Sequence, residues 1–154
     1  MRLAPLALSL LFAPLLTIPA AQADDGMVTL KSAHDVKTTG DRLEKILLDK
    51  GMKVFIRINY AEGAKKAGLE LRPTETIVFG NPKIGTPLMQ CDQEVAIDLP
   101  QKALIRQDAD GQVWLSYNDP NYLVQRHGIE ECGEEVVKKM TGALDKFAHA
   151  ATAP

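Results

Sequence analysis

The sequence predicts an α+β fold: a mainly antiparallel sheet with helices packed on one face, in the order strand, helix, strands, helix. Three observations carry this. Short segments between residues 27 and 118 alternate apolar and polar residues and are bounded by Gly and Pro, the pattern of strands with one buried face. Two longer segments, 35–50 after the first strand and 130–148 after the last, repeat apolar residues at helical spacing. The link Ala109-Asp110-Gly111 is too short for anything but an antiparallel hairpin.

Met27 to Lys31 alternates weakly and starts the sheet. Asp35 to Lys50 puts Val36, Leu43, Ile46 and Leu47 on one helical face and stops at Gly51. A strand follows, with Met52, Val54, Ile56 and Ile58 on the side expected to be buried and Lys53, Phe55 and Arg57 on the other. Ala61 to Ala67 makes a short helix stopped by Gly68, and Thr74 to Gly80 is a strand rich in β-branched residues. Asn81-Pro82 and Thr86-Pro87 each set a capping side chain before a proline, which predicts one or two helical turns between Asn81 and Cys91. Glu94 to Leu99 reads as a strand ended by Pro100. Lys102–Asp108 and Gln112–Asn118 are the hairpin strands. Asp119-Pro120 then starts a short helix that runs to His127 and stops at Gly128. The last helix, from about Glu130 to Ala148, aligns Cys132, Val136, Met140, Leu144 and Phe147, so Cys132 is expected to face the core. Ala150 to Pro154 should fray.

The N-terminus has its own logic. Arg2 precedes an apolar run from Leu3 to Ile18 broken by Pro14, and Ala21-Gln22-Ala23 precedes Asp24 and Asp25. This predicts a secretory signal peptide over residues 1–23, cut after Ala23. The alternative is a membrane anchor, since Leu3 to Ala21 is nearly long enough to cross a bilayer, but Pro14 and Pro19 weaken a long helix. A single domain over residues 24–154 is expected, periplasmic or secreted and free of the membrane once cut. It has 17 Lys and Arg against 20 Asp and Glu, a net charge of -3. That acidity and the absence of a basic run argue against nucleic acid.

Cys91 and Cys132 are the two cysteines. In an oxidising compartment the expectation is one disulfide, closing 41 residue steps and contributing about 4 kcal/mol in the chain-entropy estimate.

Two stretches, Ile77 to Met89 (IVFGNPKIGTPLM) and Asp98 to His127 with its VWLSYNDP segment, resemble the bacterial family known as domain of unknown function 302. The resemblance covers nearly all of residues 24–154 and implies the same α+β layout, with no established activity. At one point the chain departs from the family pattern: Asn59-Tyr60 stands where an Asp-His pair is expected.

The candidate ligand-binding residues form two groups. Tyr117, Asn118, Arg126 and His127, with Asp119, flank a strand exit and the helix after it, where polar groups and free backbone N–H converge. Asn81, Lys83 and Thr86, with Met89, belong to a Gly- and Pro-rich loop whose Gly80 and Gly85 allow a backbone cradle, although the phosphate-loop spacing is missing. Both segments leave strands through Asn and Pro, so one pocket shared between them is expected. Each has an ordinary structural reading as well, because Asn and Asp cap helices and a last-turn His favours the helix dipole.

A copper-type site from His127, Met89 and a reduced Cys is the soft-metal alternative, but HxxxH, CxxC and CxxCH motifs are absent. Ser116, His127 and Asp98 could be read as a hydrolytic triad, yet Ser116 lies in a strand pattern without a nucleophile elbow. Asp98, an acid in an apolar strand, is expected to pair with Lys102 or Arg106. Phe55 and Trp114 could form a contact surface, making the chain a protein-interaction module. The leading expectation is a non-enzymatic, exported domain that needs no cofactor and binds a small, partly apolar ligand between sheet and helices, with a homodimer as the second candidate partnership. Metal handling or an enzyme using His127 is the competing class.

Overall fold

The computed structural model describes residues 26–154; the predicted signal peptide lies outside them. The chain order is β1 (Met27–Lys31), α1 (Val36–Asp49), β2 (Lys53–Asn59), α2 (Tyr60–Lys66), β3 (Thr74–Gly80), α3 (Pro82–Cys91), a 3₁₀ helix (Gln93–Ile97), β4 (Gln101–Gln107), β5 (Val113–Asn118), α4 (Pro120–His127) and α5 (Glu130–Thr152). The strands form one sheet in the order β1-β5-β4-β3-β2, and every neighbouring pair is antiparallel. The expected α+β architecture is therefore the observed one.

Alternation decides which face is covered. Ala103 and Ile105 of β4, and Val113, Leu115 and Tyr117 of β5, turn inward and pack with Leu43 and Leu47 of α1 and Leu144 and Ala148 of α5. Burying such side chains is the main force holding α1 and α5 to the sheet, at roughly 1.5–3 kcal/mol each. A second apolar cluster sits beside the first: Leu88 of α3, Val95, Val124 of α4, Ile129, and Val137 and Met140 of α5.

Local chemistry places the helices. Asp35 accepts from Thr38 N at 2.6 Å and caps α1, and that bond lowers its pKa. Asp119 accepts from Asn121 N at 2.9 Å and caps α4. Gly128, at φ 62°, closes α4 in the left-handed conformation that a side chain would oppose.

Four expectations are corrected. Residues 94–99 are not a strand: Asp92 accepts from Glu94 N at 2.8 Å and starts a 3₁₀ turn that buries Val95 and leaves Ile97 73% exposed. In β2 the register shifts between Val54 and Ile56, so Val54 opposes Phe79 on the covered face while Ile56 and Ile58 oppose Val78 and Thr76 on the open one. The bulge thereby turns Arg57 inward. At the C-terminus α5 does not fray at Ala150. Ala151 and Thr152 are buried, Arg42 donates to the carbonyls of Ala150, Ala151 and Ala153, and Ala33 N donates to Thr152 O at 2.9 Å. The inward stripe of α5 begins at Gly133 and Val137 rather than at Cys132 and Val136, so Cys132 itself is exposed.

The Cys91–Cys132 disulfide is present, with Cα atoms 6.0 Å apart. It ties the last residue of α3 to the first turn of α5.

Candidate functional site

The segment Asn81 to Cys91 is one continuous helix, α3, even though Pro87 lies inside it. Asn81 fixes its start twice over: Oδ1 accepts from Lys83 N at 2.9 Å, and Nδ2 donates to Gly51 O at 3.2 Å, across to the α1–β2 turn. Leu88 turns into the second core at 1% exposure. Ile84 and Met89 turn instead toward a cavity of about 620 Å³. Its other walls are Met140, Leu144 and Phe147 of α5, Met52 just before β2, and Phe55 and Phe79 from β2 and β3. Leu99, Pro100 and Gln101, at the entry to β4, complete it. The disulfide joins two of these walls, α3 and α5, outside the cavity.

Few polar groups line this space: Lys50, Asn81, Thr86 and Gln101. Lys50 is the one ionisable group among them, and it is exposed. Gln101 is 5% exposed, and its Nε2 is buried without a hydrogen-bond partner. Sequence reasoning passed over Gln101 because it began the strand at Lys102. The signal was parity, since Gln101 shares the inward side of β4 with Ala103 and Ile105.

The other group of predicted residues lies elsewhere. No residue from Tyr117 to His127 lines the cavity, so a single pocket shared by the two segments is not what the chain builds. Arg126 and His127 border a separate groove with Gln93, Glu94 and Ile97. There His127 Nε2 donates to Asp98 Oδ2 at 2.7 Å, and Arg126 Nη1 donates to Asp98 Oδ1 at 3.1 Å. The side chains of His127 and Asp98 are 8% and 13% exposed. Asp98 thus clamps the C-terminal end of α4 to the 3₁₀ helix; it does not pair with Lys102, whose ammonium goes to the carbonyls of Asp98 and Pro100.

Tyr117 is core, 5% exposed. Burial first, and then the charges of Asp145 and Asp119, push its phenol up to about 12. Asn118 ends β5 opposite Met27, and Lys83 is exposed on α3 outside the cavity lining. Ser116 bonds Thr29 Oγ1 at 2.9 Å on the open face of the sheet, so it forms no triad with His127 and Asp98. The copper-type set is not assembled either. Both sulfurs of Cys91 and Cys132 are in the disulfide, Met89 lines the cavity and His127 the groove. Among the described residues, no three His, Cys, Asp or Glu side chains are grouped to hold a metal.

A charged cluster that the sequence did not announce surrounds Arg57. Its guanidinium donates to Glu75 at 2.7 Å, to Asp41 at 2.6 Å and to Glu44 at 3.3 Å. Burial opposes its charge, but these carboxylates outweigh burial and raise its pKa. Asn59, at the departure from the family pattern, donates to Glu75 at 3.1 Å and accepts from Glu62 N at 2.9 Å, which caps α2. Trp114 Nε1 donates to Asp108 at 2.6 Å on the open sheet face, and Phe55 is 47% exposed beneath Lys53.

Similarity to known proteins agrees with this architecture. A chain from Brucella suis biovar 1 (strain 1330) named fluoride-specific ion channel FluC 1 is 44% identical over 132 residues, covering 84% of this chain and 52% of that protein. A protein of the same name from Brucella abortus biovar 1 (strain 9-941) is 44% identical over 132 residues, covering 84% and 49%. The chain spans about half the length of the curated relatives it matches. The crystal structure of an uncharacterized conserved DUF302 protein from Bacillus stearothermophilus has the same fold, with a TM-score of 0.74 at 20% identity over 82% of this chain and 98% of that one. The profile of the family described as domain of unknown function DUF302 matches residues 28–147, and the chain therefore belongs to the DUF302 family.

Proposed function

We propose that this domain binds a small, partly apolar ligand, without chemistry, in the cavity walled by α3, α5 and the β2–β3–β4 end of the sheet. The observation that carries the reading is the cavity itself: about 620 Å³, within the roughly 300–1,000 Å³ typical of ligand sites. Its lining is mostly apolar, led by Met, Phe, Leu and Ile, with a few polar groups, the composition of sites that bind by burial and orient by hydrogen bonds. Met52, Met89 and Met140 supply flexible, polarizable walls that adapt to ligand shape. An exported location is supported by the leader pattern of residues 1–23 and by a disulfide of the kind that persists in oxidising compartments. Among the described residues no helix is long and apolar enough to cross a membrane. The fluoride-channel name describes relatives about twice the matched length and supports no channel assignment for this chain.

The test uses N-phenyl-1-naphthylamine, an uncharged probe that fluoresces when taken out of water. Ala143, on the α5 wall, is half-buried and lines the cavity; Ala143→Trp should occupy part of the space and weaken probe binding while the thermal transition stays in place. His127→Ala should leave binding unchanged, because the groove is separate. Probe binding unaffected by Ala143→Trp, or no binding by the wild type, would overturn the reading. Native mass spectrometry of protein purified from its own cell envelope should also show a retained mass, and should show whether the chain is a dimer.

A further inference from the structure

Two buried side-chain polar atoms among the described residues lack a partner, Gln101 Nε2 and Thr141 Oγ1. They are not equivalent. Thr141 sits within α5, where a hydroxyl can rotate to the carbonyl one turn back. Gln101 opens β4 opposite Phe79 and, lying in a strand, has no carbonyl of its own helix one turn back. An orphaned buried amide is rare and costly, because the group has given up water and gained nothing. In a strand whose other inward residues are Ala103 and Ile105, an apolar side chain would serve packing better. Gln101 is also part of the lining of the 620 Å³ cavity, and the terminal amide torsion is broad enough to swing the N–H toward that space.

We infer that Gln101 is the hydrogen-bond donor that orients the ligand, and that the ligand is an uncharged molecule with an apolar body and a carbonyl-type acceptor oxygen. This rests on the cavity being a binding site. The charge state follows from what surrounds the amide. A carboxylate drawn in to Gln101 would meet only neutral donors, such as the Gln101 amide and the Thr86 hydroxyl, among mostly apolar walls, too little to replace its hydration. Lys50, the one cation of the lining, is exposed and so remains in water. A ketone, ester or aldehyde oxygen is satisfied by one N–H of the Gln101 amide.

Three probes of nearly equal shape test this: 2-acetylnaphthalene, 2-ethylnaphthalene and 2-naphthoate, each measured by equilibrium dialysis against the disulfide-bonded protein. The ketone should bind about tenfold more tightly than the hydrocarbon, the gain from satisfying one buried donor, and naphthoate should bind more weakly than the ketone. In Gln101→Met, similar in size but unable to donate, the ketone should lose its advantage over 2-ethylnaphthalene. Equal binding of ketone and hydrocarbon by the wild type refutes the role of Gln101 but leaves the cavity reading standing. Tighter binding of naphthoate refutes the charge assignment. If neither uncharged probe binds, the cavity reading fails with it. Should Gln101→Met not fold, the wild-type series decides alone.

Discussion

Removing the disulfide should cost this domain a large share of its stability without unfolding it, and the size follows from where the bond sits. Cys91 and Cys132 are separated by 41 residues in sequence. In the chain-entropy model a closed loop of that length removes about 13 cal/mol/K from the unfolded ensemble, or about 4 kcal/mol at 25 °C. Little native packing goes with the sulfurs, since Cys132 is exposed and Cys91 half-buried. The effect should therefore act through the unfolded state. With a typical total of about 5–15 kcal/mol, the reduced protein should remain folded. Urea unfolding of the wild type, of Cys91→Ser, of Cys132→Ser and of the double variant measures it. At an m-value of about 2 kcal/mol/M, each variant should lose about 2 M in midpoint. The two single variants and the double should coincide, because each breaks the same bond. Reduction of the wild type should give the same curve. A loss under roughly 1 kcal/mol would show that the unfolded chain is already compact around this loop or that the bond strains the fold, and either refutes the entropic argument.

Asp98→Ala should destabilise by about 1–3 kcal/mol, because it strands the nearly buried His127 imidazole without its acceptor and releases Arg126; urea unfolding checks it, and a change within about 0.5 kcal/mol would mean that the clamp is idle. Gly40→Ala inverts the usual rule. A glycine-to-alanine change inside a helix normally gains up to about 1 kcal/mol, but here a Cβ would collide with the guanidinium of Arg57 and push it off Glu75, whose side chain is 8% exposed. A net loss of at least about 2 kcal/mol is expected in thermal or urea unfolding, and a gain would show that Arg57 moves aside freely. The hydrogen bond from Trp114, and then those from the Gln112 and Asp110 N–H groups, hold the Asp108 carboxyl below its ordinary value of 3.8. A carboxyl with a depressed folded pKa contributes stability that is present above the unfolded value and lost as pH falls through the folded one. Fluorescence of Trp114, the only tryptophan, should therefore change with a midpoint below pH 3.8, and Asp108→Asn should remove that step.

Much of the architecture was legible because it is local. Caps such as Asn81 and Asp119, the Ala109-Asp110-Gly111 hairpin and the 3.6-residue stripe of α1 act within one or two turns of chain, where residue chemistry and spacing suffice. The cysteine pairing was readable for another reason: with two cysteines there is one way to pair them. The tertiary structure decided everything that depends on parity or on distant partners. One bulge in β2 reverses the faces of Ile56, Arg57 and Ile58, a shift no alternation of apolar residues could reveal, since a single extra residue exchanges the two sides of a strand. Asp98 found His127 and Arg126, 29 and 28 residues away, in preference to the nearer Lys102, because the 3₁₀ helix carries it to the end of α4. The two predicted loops, alike in sequence, were separated in the same way: both helices join the second core, through Leu88 of α3 and Val124 of α4, but α3 turns Ile84 and Met89 to the cavity while the end of α4 turns Arg126 and His127 to Asp98. A polar residue such as Gln101 becomes a candidate ligand donor only when side chains from α3, α5 and three strands line a cavity beside it. That juxtaposition is a property of packing in three dimensions, and no stretch of this sequence contains it.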